Sequence, residues 1–386
     1  MVINQSFVKD FKSELVVDSP GRINFIGEHT DYNNGFVLPT AIDKKIVFSF
    51  QKNDSEHMCK IYSSTYDEML DINLSKLEPS EKEWENYILG VLSEISKISD
   101  GVKGFDCIVD SQLPIGAGIS SSAALECGLA YGLNELFNLN LSKIELVELS
   151  QRAEHSYVGT KCGIMDQFAS VMSEDKKVIL LDCRSKHYRL IEANFEPYKI
   201  LLLNTNVSHN LASSEYNTRR EECEKVKEII SKTYNKVKSL REVTKSMLDE
   251  FRNKLTDVLY RRAYYVIEEN NRVLQASELL EKEDVQGFGK LMYQSHRGLQ
   301  HLYEVSCPEL DFLVDFSEDY NEIVGSRMMG GGFGGCTINL IHADRVNDYI
   351  LNVKKAYRKE FDIELTSFVT VPSHGTIIRT NGTKKH

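Results

Sequence analysis

Apolar positions along the chain change their spacing several times, and these changes divide it into strand-like and helix-like segments. Short apolar runs at 15–18 and 22–27 predict two strands flanking a Ser-Pro-Gly turn. The runs at 37–42 and 45–50 predict further strands. Over 84–98 the period lengthens, and Tyr87, Ile88, Val91, Leu92 and Ile95 share one side, which predicts a helix. A strand is expected at 105–109, ending at a glycine-rich loop, with helices at 120–137 and 141–158.

The second half follows the same logic. Strands are expected at 178–182 and 200–205, with a domain boundary between them at 184–196. From 213 to about 283 a charged sequence with an apolar period of 3.6 predicts mostly helix, its charges forming a solvated face. Strand character returns at 336–341 and 368–371. Mixed strands and helices in two halves predict an α+β architecture of two domains, 1–190 and 191–386. Strand order is not legible at this level.

Composition narrows the class. At roughly 100–200 residues per domain, 386 residues suffice for two or three cores. Hydrophobic residues at 41% and charged residues at 27% indicate a soluble globular protein. A net charge of -11 argues against nucleic acid or an anionic membrane as partner. It leaves room for a phosphorylated substrate held by a few local cations and a metal. The eight cysteines form no CxxC pair and no zinc-finger spacing, so reduced thiols are expected. Residues 1–10 lack a signal-peptide pattern, and no apolar run approaches a membrane span, so the cytoplasm is the expected compartment.

Two glycine-rich loops carry candidate chemistry. The first, LPIGAGISSSAALE at 113–126, places Gly116 and Gly118 before Ser120, Ser121 and Ser122 at the start of a helix. Free N–H groups at a helix N-terminus bind anions, and serine hydroxyls add donors or metal contacts. A phosphate cradle and a plain serine N-cap are equally compatible with the loop. Neither the P-loop pattern nor GxSxG is present. The second loop, GGGFGG at 330–335, formally satisfies GxGxxG, but the clear strand follows it rather than precedes it. A dinucleotide site is therefore discounted, and a backbone wall near ligand stands beside a structural turn.

Polar residues gather in two further places. Arg22, Glu28, His29 and Asp31 fall within ten residues, offering the mixed donors and acceptors that sugar hydroxyls require. A hydrogen-bonded turn is the alternative. Glu154 lies near a helix end, where an ordinary surface carboxylate is the alternative, and Asp166 sits among Ile164, Met165, Phe168 and Ala169. A phosphoryl transferase needs one carboxylate for a metal and another near the attacking hydroxyl. A carboxylate in apolar company has a specific partner or task.

Together these segments resemble the GHMP family of small-molecule kinases, in its galactokinase branch. The resemblance rests on PGRINFIGEHTDYNNGFVLPTAI at 20–42, LPIGAGISSSAA at 113–124 and EHSYVGTKCGIMDQ at 154–167. It continues through NTNVSHNLASSEYNTRR at 204–220, SHRGLQHLYEVSCPEL at 295–310 and SRMMGGGFGGCT from 326. The blocks come in the family's order and span nearly the whole chain. They imply a two-domain GHMP kinase fold with the active site between the domains.

The resemblance implies transfer of the γ-phosphoryl group of Mg-ATP to the C1 hydroxyl of galactose. Asp166 would be the catalytic aspartate and Arg22 its cationic neighbour. Glu28, His29, Asp31, Gly163 and Tyr216 would contact the sugar. Ser122 and Glu154 would hold Mg²⁺, beside the phosphate loop of Gly116, Gly118, Ser120 and Ser121. Trp84 and Tyr87 would line the adenine pocket, although helix core explains them equally well. A monomer is expected. A kinase for N-acetylgalactosamine and a non-catalytic galactose sensor of the same fold are the alternatives. The intact SSSAA loop and Asp166 favour an enzyme. Three positions depart from the family pattern: Met329 replaces a threonine, Lys161 a proline and Leu302 an aspartate.

Overall fold

The computed structural model describes residues 2–114, 116–208 and 212–379. Residue 115 of the first glycine loop and residues 209–211 of the 204–220 block lie outside them. In chain order the first half contains α1 (Val2–Asp10), β1 (Leu15–Asn24), β2 (Phe36–Val37), β3 (Pro39–Lys52), β4 (Met58–Ser63) and β5 (Glu68–Asn73). It continues with α2 (Glu83–Ser96), β6 (Phe105–Ser111), α3 (Ser121–Phe137), α4 (Lys143–Ala153), α5 (Met165–Met172), β7 (Lys177–Asp182) and β8 (Tyr188–Glu192).

The second half runs β9 (Tyr198–Ser208), α6 (Ala212–Ser231), α7 (Lys245–Glu250), α8 (Asp257–Glu281), α9 (Val285–Gly298) and α10 (Pro308–Glu318). It ends with β10 (Ile323–Met328), β11 (Gly334–His342), α11 (Val346–Phe361), β12 (Thr366–Thr370) and β13 (Ile377–Ile378). Strands pair in three sheets, ordered β13-β1-β3-β6-β4-β5, β10-β11-β9-β12 and β2-β7-β8. The last strand thus returns to the first sheet.

The main core forms where α2 and α3 cover the six-stranded sheet. Phe48 and Phe50 of β3 stack with ring centroids 5.8 Å apart and are fully buried, in one cluster with Leu129 and Leu133 of α3. Burying each such ring is worth about 1.5–3 kcal/mol. A second cluster joins α6 and α8 through Val226, Ile230, Ala263 and Val266, all fully buried. The expected α+β class is present, and the long charged segment is helical as its period predicts.

Four local expectations change. The Ser-Pro-Gly segment is not a turn between two strands: β1 runs through it, with a register shift between Pro20 and Arg22 against β3. Proline has no N–H to give the ladder, and the irregularity frees the next residues from β3. The Arg22 N–H donates to the Ile119 carbonyl instead, at 3.0 Å, which draws Arg22 toward the first glycine loop. The runs at 37–42 and 45–50 likewise merge into β3, which begins at Pro39. The helix expected over 141–158 turns π-helical at Glu154–Val158. The stretch read as a boundary, 184–196, contains β8, which pairs with β7. A division at residue 190 therefore passes through a strand.

Candidate active site

Three loops and two helix starts converge on one cleft of about 650 Å³. Every residue expected to contact ligand lines it except Gly163, which packs directly behind Asp31. The first half of the chain supplies most of the wall, and Tyr216 and Gly330, Gly331 and Gly332 of the second half close it.

At the floor, Arg22 and Asp166 form a two-pronged ion pair. Arg22 Nε donates to Asp166 Oδ1 at 2.8 Å, and Nη2 donates to Oδ2 at 2.9 Å. Arg22 Nη1 donates to the Gly118 carbonyl at 2.7 Å, so one guanidinium binds the aspartate and the glycine loop together. Such a planar fork fixes orientation as well as charge. Burial works against the Arg22 charge, but Asp166 and Glu28 outweigh it and raise its pKa. Asp166 lies in the first turn of α5, between Met165 and Gln167.

Ser120 does not act as a plain N-cap. It holds the N-cap position of α3 in a left-handed conformation (φ 57°) and makes no side-chain cap. Its hydroxyl donates to Asp166 Oδ2 at 2.5 Å. The first N–H groups of α3 are left without a side-chain cap, as an anion site needs. Gly118, at φ 69°, takes a conformation that side chains disfavour and sits 3.4 Å, at a would-be Cβ, from the Met329 carbonyl. The second glycine loop joins β10 to β11 as a hairpin, with no helix after it. Its Gly330, Gly331 and Gly332 line the cleft.

The cleft wall that carries Glu28, His29 and Asp31 is a strained loop. His29 has φ 62°, a left-handed value unusual for histidine. Three residues of α8 hold the loop: Gly27 N–H donates to Glu269 Oε1 at 2.9 Å, and Phe36 N–H to Asn270 Oδ1 at 2.8 Å. Tyr265 OH donates to the Glu28 carbonyl at 3.1 Å. Glu28 Oε1 accepts from Gly330 N–H at 2.9 Å and lies 3.3 Å from Nη2 of the fully buried Arg327. Glu28 therefore ties the two halves across the cleft. The three α8 residues were not read from the sequence, where Glu269 looks like part of a charged helix face.

Charge in the cleft is predominantly acidic. Burial, then Asp166, pushes Asp31 up to about 7. Burial, then Asp166, raises Glu154 as well. Burial lowers His29 to about 3, so its imidazole is neutral. Beneath Glu154 lies a second carboxyl, Glu126, fully buried and raised by burial and by Glu154. Gln167 Nε2 bridges the two, at 2.8 Å from Glu154 Oε2 and 3.3 Å from Glu126 Oε2.

Ser122 and Glu154 border the same cleft. Glu154 spends Oε2 on Gln167 and on the Cys162 thiol, at 3.4 Å. Among the described residues, no group of three or more His, Cys, Asp or Glu could hold a metal. A hydroxyl and one carboxylate are oxygen donors of the kind that suits a hard cation such as Mg²⁺. Trp84 and Tyr87 both line the cleft, and Trp84 also packs on the main core. Trp84 stacks on Tyr66 with centroids 5.6 Å apart, beside an apolar recess of about 100 Å³ bounded by Tyr87, Ile88, Val109 and Leu113.

The three departures lie outside the ion pair. Met329 is fully buried in the core. Lys161 uses its backbone: its N–H donates to Asn217 Oδ1 at 3.3 Å, a bond that proline could not make. Leu302 packs on the second core cluster.

Family models match three parts of the chain: the galactokinase galactose-binding signature at 5–52, the GHMP kinases N terminal domain at 86–174 and the GHMP kinases C terminal domain at 276–359. A galactokinase of Thermosipho africanus (strain TCF52B) is 42% identical over 361 residues, covering 94% of this chain and 99% of that protein. A galactokinase of Clostridium acetobutylicum is 38% identical, covering 95% and 96%. The crystal structure of Lactococcus lactis galactokinase complexed with galactose superposes with a TM-score of 0.92 at 32% identity, over 97% of this chain and 98% of that one. A mevalonate kinase at 19% identity shares the fold, with a TM-score of 0.62 over 94% and 100%.

Proposed function

Because this chain belongs to the galactokinase family of GHMP kinases, and is thereby an ATP-dependent sugar kinase, we propose that it phosphorylates the C1 hydroxyl of galactose through the cleft described above. The products are galactose 1-phosphate and ADP. The observation that carries this reading is the position of Asp166. It stands where the wall of Glu28, His29 and Asp31 meets the uncapped start of α3.

Phosphoryl transfer demands positioning and charge neutralisation more than covalent chemistry. Arg22 and Ser120 fix both oxygens of Asp166. Each carboxylate oxygen has two acceptor sites, and among the described residues Oδ1 receives only the Arg22 Nε bond, so one site is left for the sugar hydroxyl. Asp166 orients that hydroxyl and takes its proton as the oxygen attacks the γ-phosphorus. The bond from that phosphorus to the bridging oxygen breaks, and ADP leaves.

The N–H groups of α3 and the loop of Gly116, Gly118, Ser120 and Ser121 bind the phosphates, while Trp84 and Tyr87 border the adenine. Ser122 and Glu154 would hold Mg²⁺, which neutralises phosphate charge when bound. Asp31, His29, Gly163 and Tyr216 shape the sugar side. A monomer suffices, since one chain supplies every residue of the cleft. The eight free cysteines fit a reducing compartment, the cytoplasm.

An ADP-release assay across galactose, glucose and N-acetylgalactosamine tests this reading. Glucose differs from galactose at C4, and each buried polar group it leaves unpaired costs about 1–3 kcal/mol. Two such losses put glucose kcat/KM about a thousandfold below galactose. Equal use of both sugars would refute a C4-reading pocket. Faster turnover of N-acetylgalactosamine would replace the substrate and leave Asp166 and Arg22 in their roles.

A further inference from the structure

Behind the sugar wall runs a chain of buried hydrogen bonds that phosphoryl transfer does not itself require. His29 Nδ1 lies 2.9 Å from Tyr32 OH. Tyr32 OH lies 2.7 Å from Tyr303 OH, which lies 3.2 Å from Cys223 Sγ. Tyr303 is fully buried and Cys223 only 2% exposed. The chain joins the sugar loop to α6 and to the π-helical turn Leu299–Tyr303 that follows α9. At its other end, His29 Nε2 is buried and has no hydrogen bond among the described residues. The ring lines the cleft. One nitrogen is thus committed inward and the other is left for ligand.

A neutral imidazole carries one proton, so its two nitrogens cannot both donate. Each hydroxyl also donates only once, so with every proton kept within the chain its direction is shared by all its members. Either Cys223 starts it and His29 Nδ1 accepts, or His29 starts it and the sulfur accepts. The quality of the acceptors selects the first. An imidazole lone pair is a better acceptor than a thiol sulfur, and this direction gives it the Tyr32 O–H, leaving the ring proton on Nε2, which lines the cleft without a partner among the described residues. The reverse direction would also spend the strong Tyr303 O–H donor on sulfur, a weak acceptor. Burial pushes the Cys223 thiol up to about 11, which keeps it an S–H donor.

We infer that Tyr32, Tyr303 and Cys223 hold His29 as its Nε2–H tautomer, a hydrogen-bond donor to the sugar. Tyr303 and Cys223 are then positioning residues that touch no ligand. This deepens the sugar-kinase reading and rests on it for the identity of the ligand. The tautomer itself needs no sugar to be observed.

The test uses the full chain with ¹⁵N-labelled histidine, with the His29 signals assigned through His29→Gln. Long-range proton–nitrogen spectra report which nitrogen is protonated. A bare Nδ1 and a protonated Nε2 are expected in the wild type. Tyr32→Phe should mix the tautomers and raise the galactose KM about tenfold, with the ATP KM within about twofold. Cys223→Ala should raise the galactose KM about threefold, and Cys223→Ser, which restores a donor, should return it to the wild-type value. Protonation at Nδ1 in the wild type overturns the inference. So does an unchanged tautomer in Tyr32→Phe, or a serine variant as impaired as the alanine one. Should galactose not be turned over while Nε2 carries the proton, the substrate reading fails and the relay stands.

Discussion

Gly163 and Asp31 are packed so closely that a Cβ at residue 163 would lie 1.9 Å from Asp31 Oδ2. The backbone ahead of α5, which carries Asp166, thus forms the back of the sugar wall. Gly163→Ala must displace the Asp31 carboxylate into the cleft. A displacement near 1 Å can cost about a hundredfold in rate. The galactose kcat/KM should fall about 10–100-fold, with the ATP KM within about twofold. An unchanged galactose kcat/KM would place the sugar away from Asp31.

Asp166→Asn keeps the size of the side chain and removes its charge. An amide has one acceptor oxygen and a donor NH₂, so it cannot accept from Arg22 and Ser120 on both sides as the carboxylate does. The kcat should drop at least about a hundredfold. The Asp166 side chain is 25% exposed, so the lost ion pair should cost stability only about 1–2 kcal/mol. Steady-state kinetics and thermal melts of the same sample separate the two effects. A variant keeping more than about a tenth of the wild-type rate would remove Asp166 from proton transfer.

What was legible in the sequence follows from how local each feature is. Glu28, His29, Asp31, Ser120 and Asp166 stand in short blocks whose composition already suggests polar chemistry, and all of them line the cleft. The helices were readable because their apolar faces repeat over many residues. Glu269 and Asn270 were not readable. Their partners Gly27 and Phe36 lie more than 230 residues away, and a carboxylate in a charged helix looks solvated until the fold buries it. Glu126 was hidden for a related reason: one glutamate in an Ala- and Leu-rich helix does not announce a second carboxylate packed beneath Glu154. The Ser-Pro-Gly segment misled because its turn chemistry was sound, while pairing with β3 on both sides carried the strand through. Tertiary pairing overrode local propensity there.

Glu154 and Glu126 repel one another across Gln167, and each is raised by burial beside the other acidic groups of the cleft. Glu154→Gln removes one charge from that pair and keeps a hydrogen-bonding side chain. Without bound nucleotide the melting temperature should rise by about 1–3 °C. The Mg²⁺ concentration for half-maximal rate should rise about tenfold, because a carboxylate oxygen has been replaced by an amide. The galactose KM should stay within about twofold of wild type. A Mg²⁺ titration that superposes on the wild-type curve would assign the metal to other residues.

Asp31 should show the same trade between function and stability, with a pH signature. Burial, then Asp166, places its folded pKa at about 7, above its ordinary value of 3.8. A carboxyl whose folded pKa is raised holds its proton in the folded state while the unfolded chain has already released it. Between about pH 4 and 7, therefore, the unfolded state binds fewer protons, and stability falls as pH rises. Below that window Asp31 costs nothing; above it the full penalty of a buried charge beside Asp166 is present. An asparagine at this position cannot ionise, so Asp31→Asn should melt about 2–5 °C above wild type at about pH 8 and by clearly less at about pH 5. The same variant should lose galactose kcat/KM, since an ionised carboxylate accepts from two sugar hydroxyls and an amide offers only one oxygen. ATP binding should be untouched, because Asp31 lies on the sugar wall and not at α3. Melts of both proteins across this pH range give the answer directly. If the difference in melting temperature is the same at both ends of the range, Asp31 ionises normally, and its carboxylate is free in the cleft without cost to the fold.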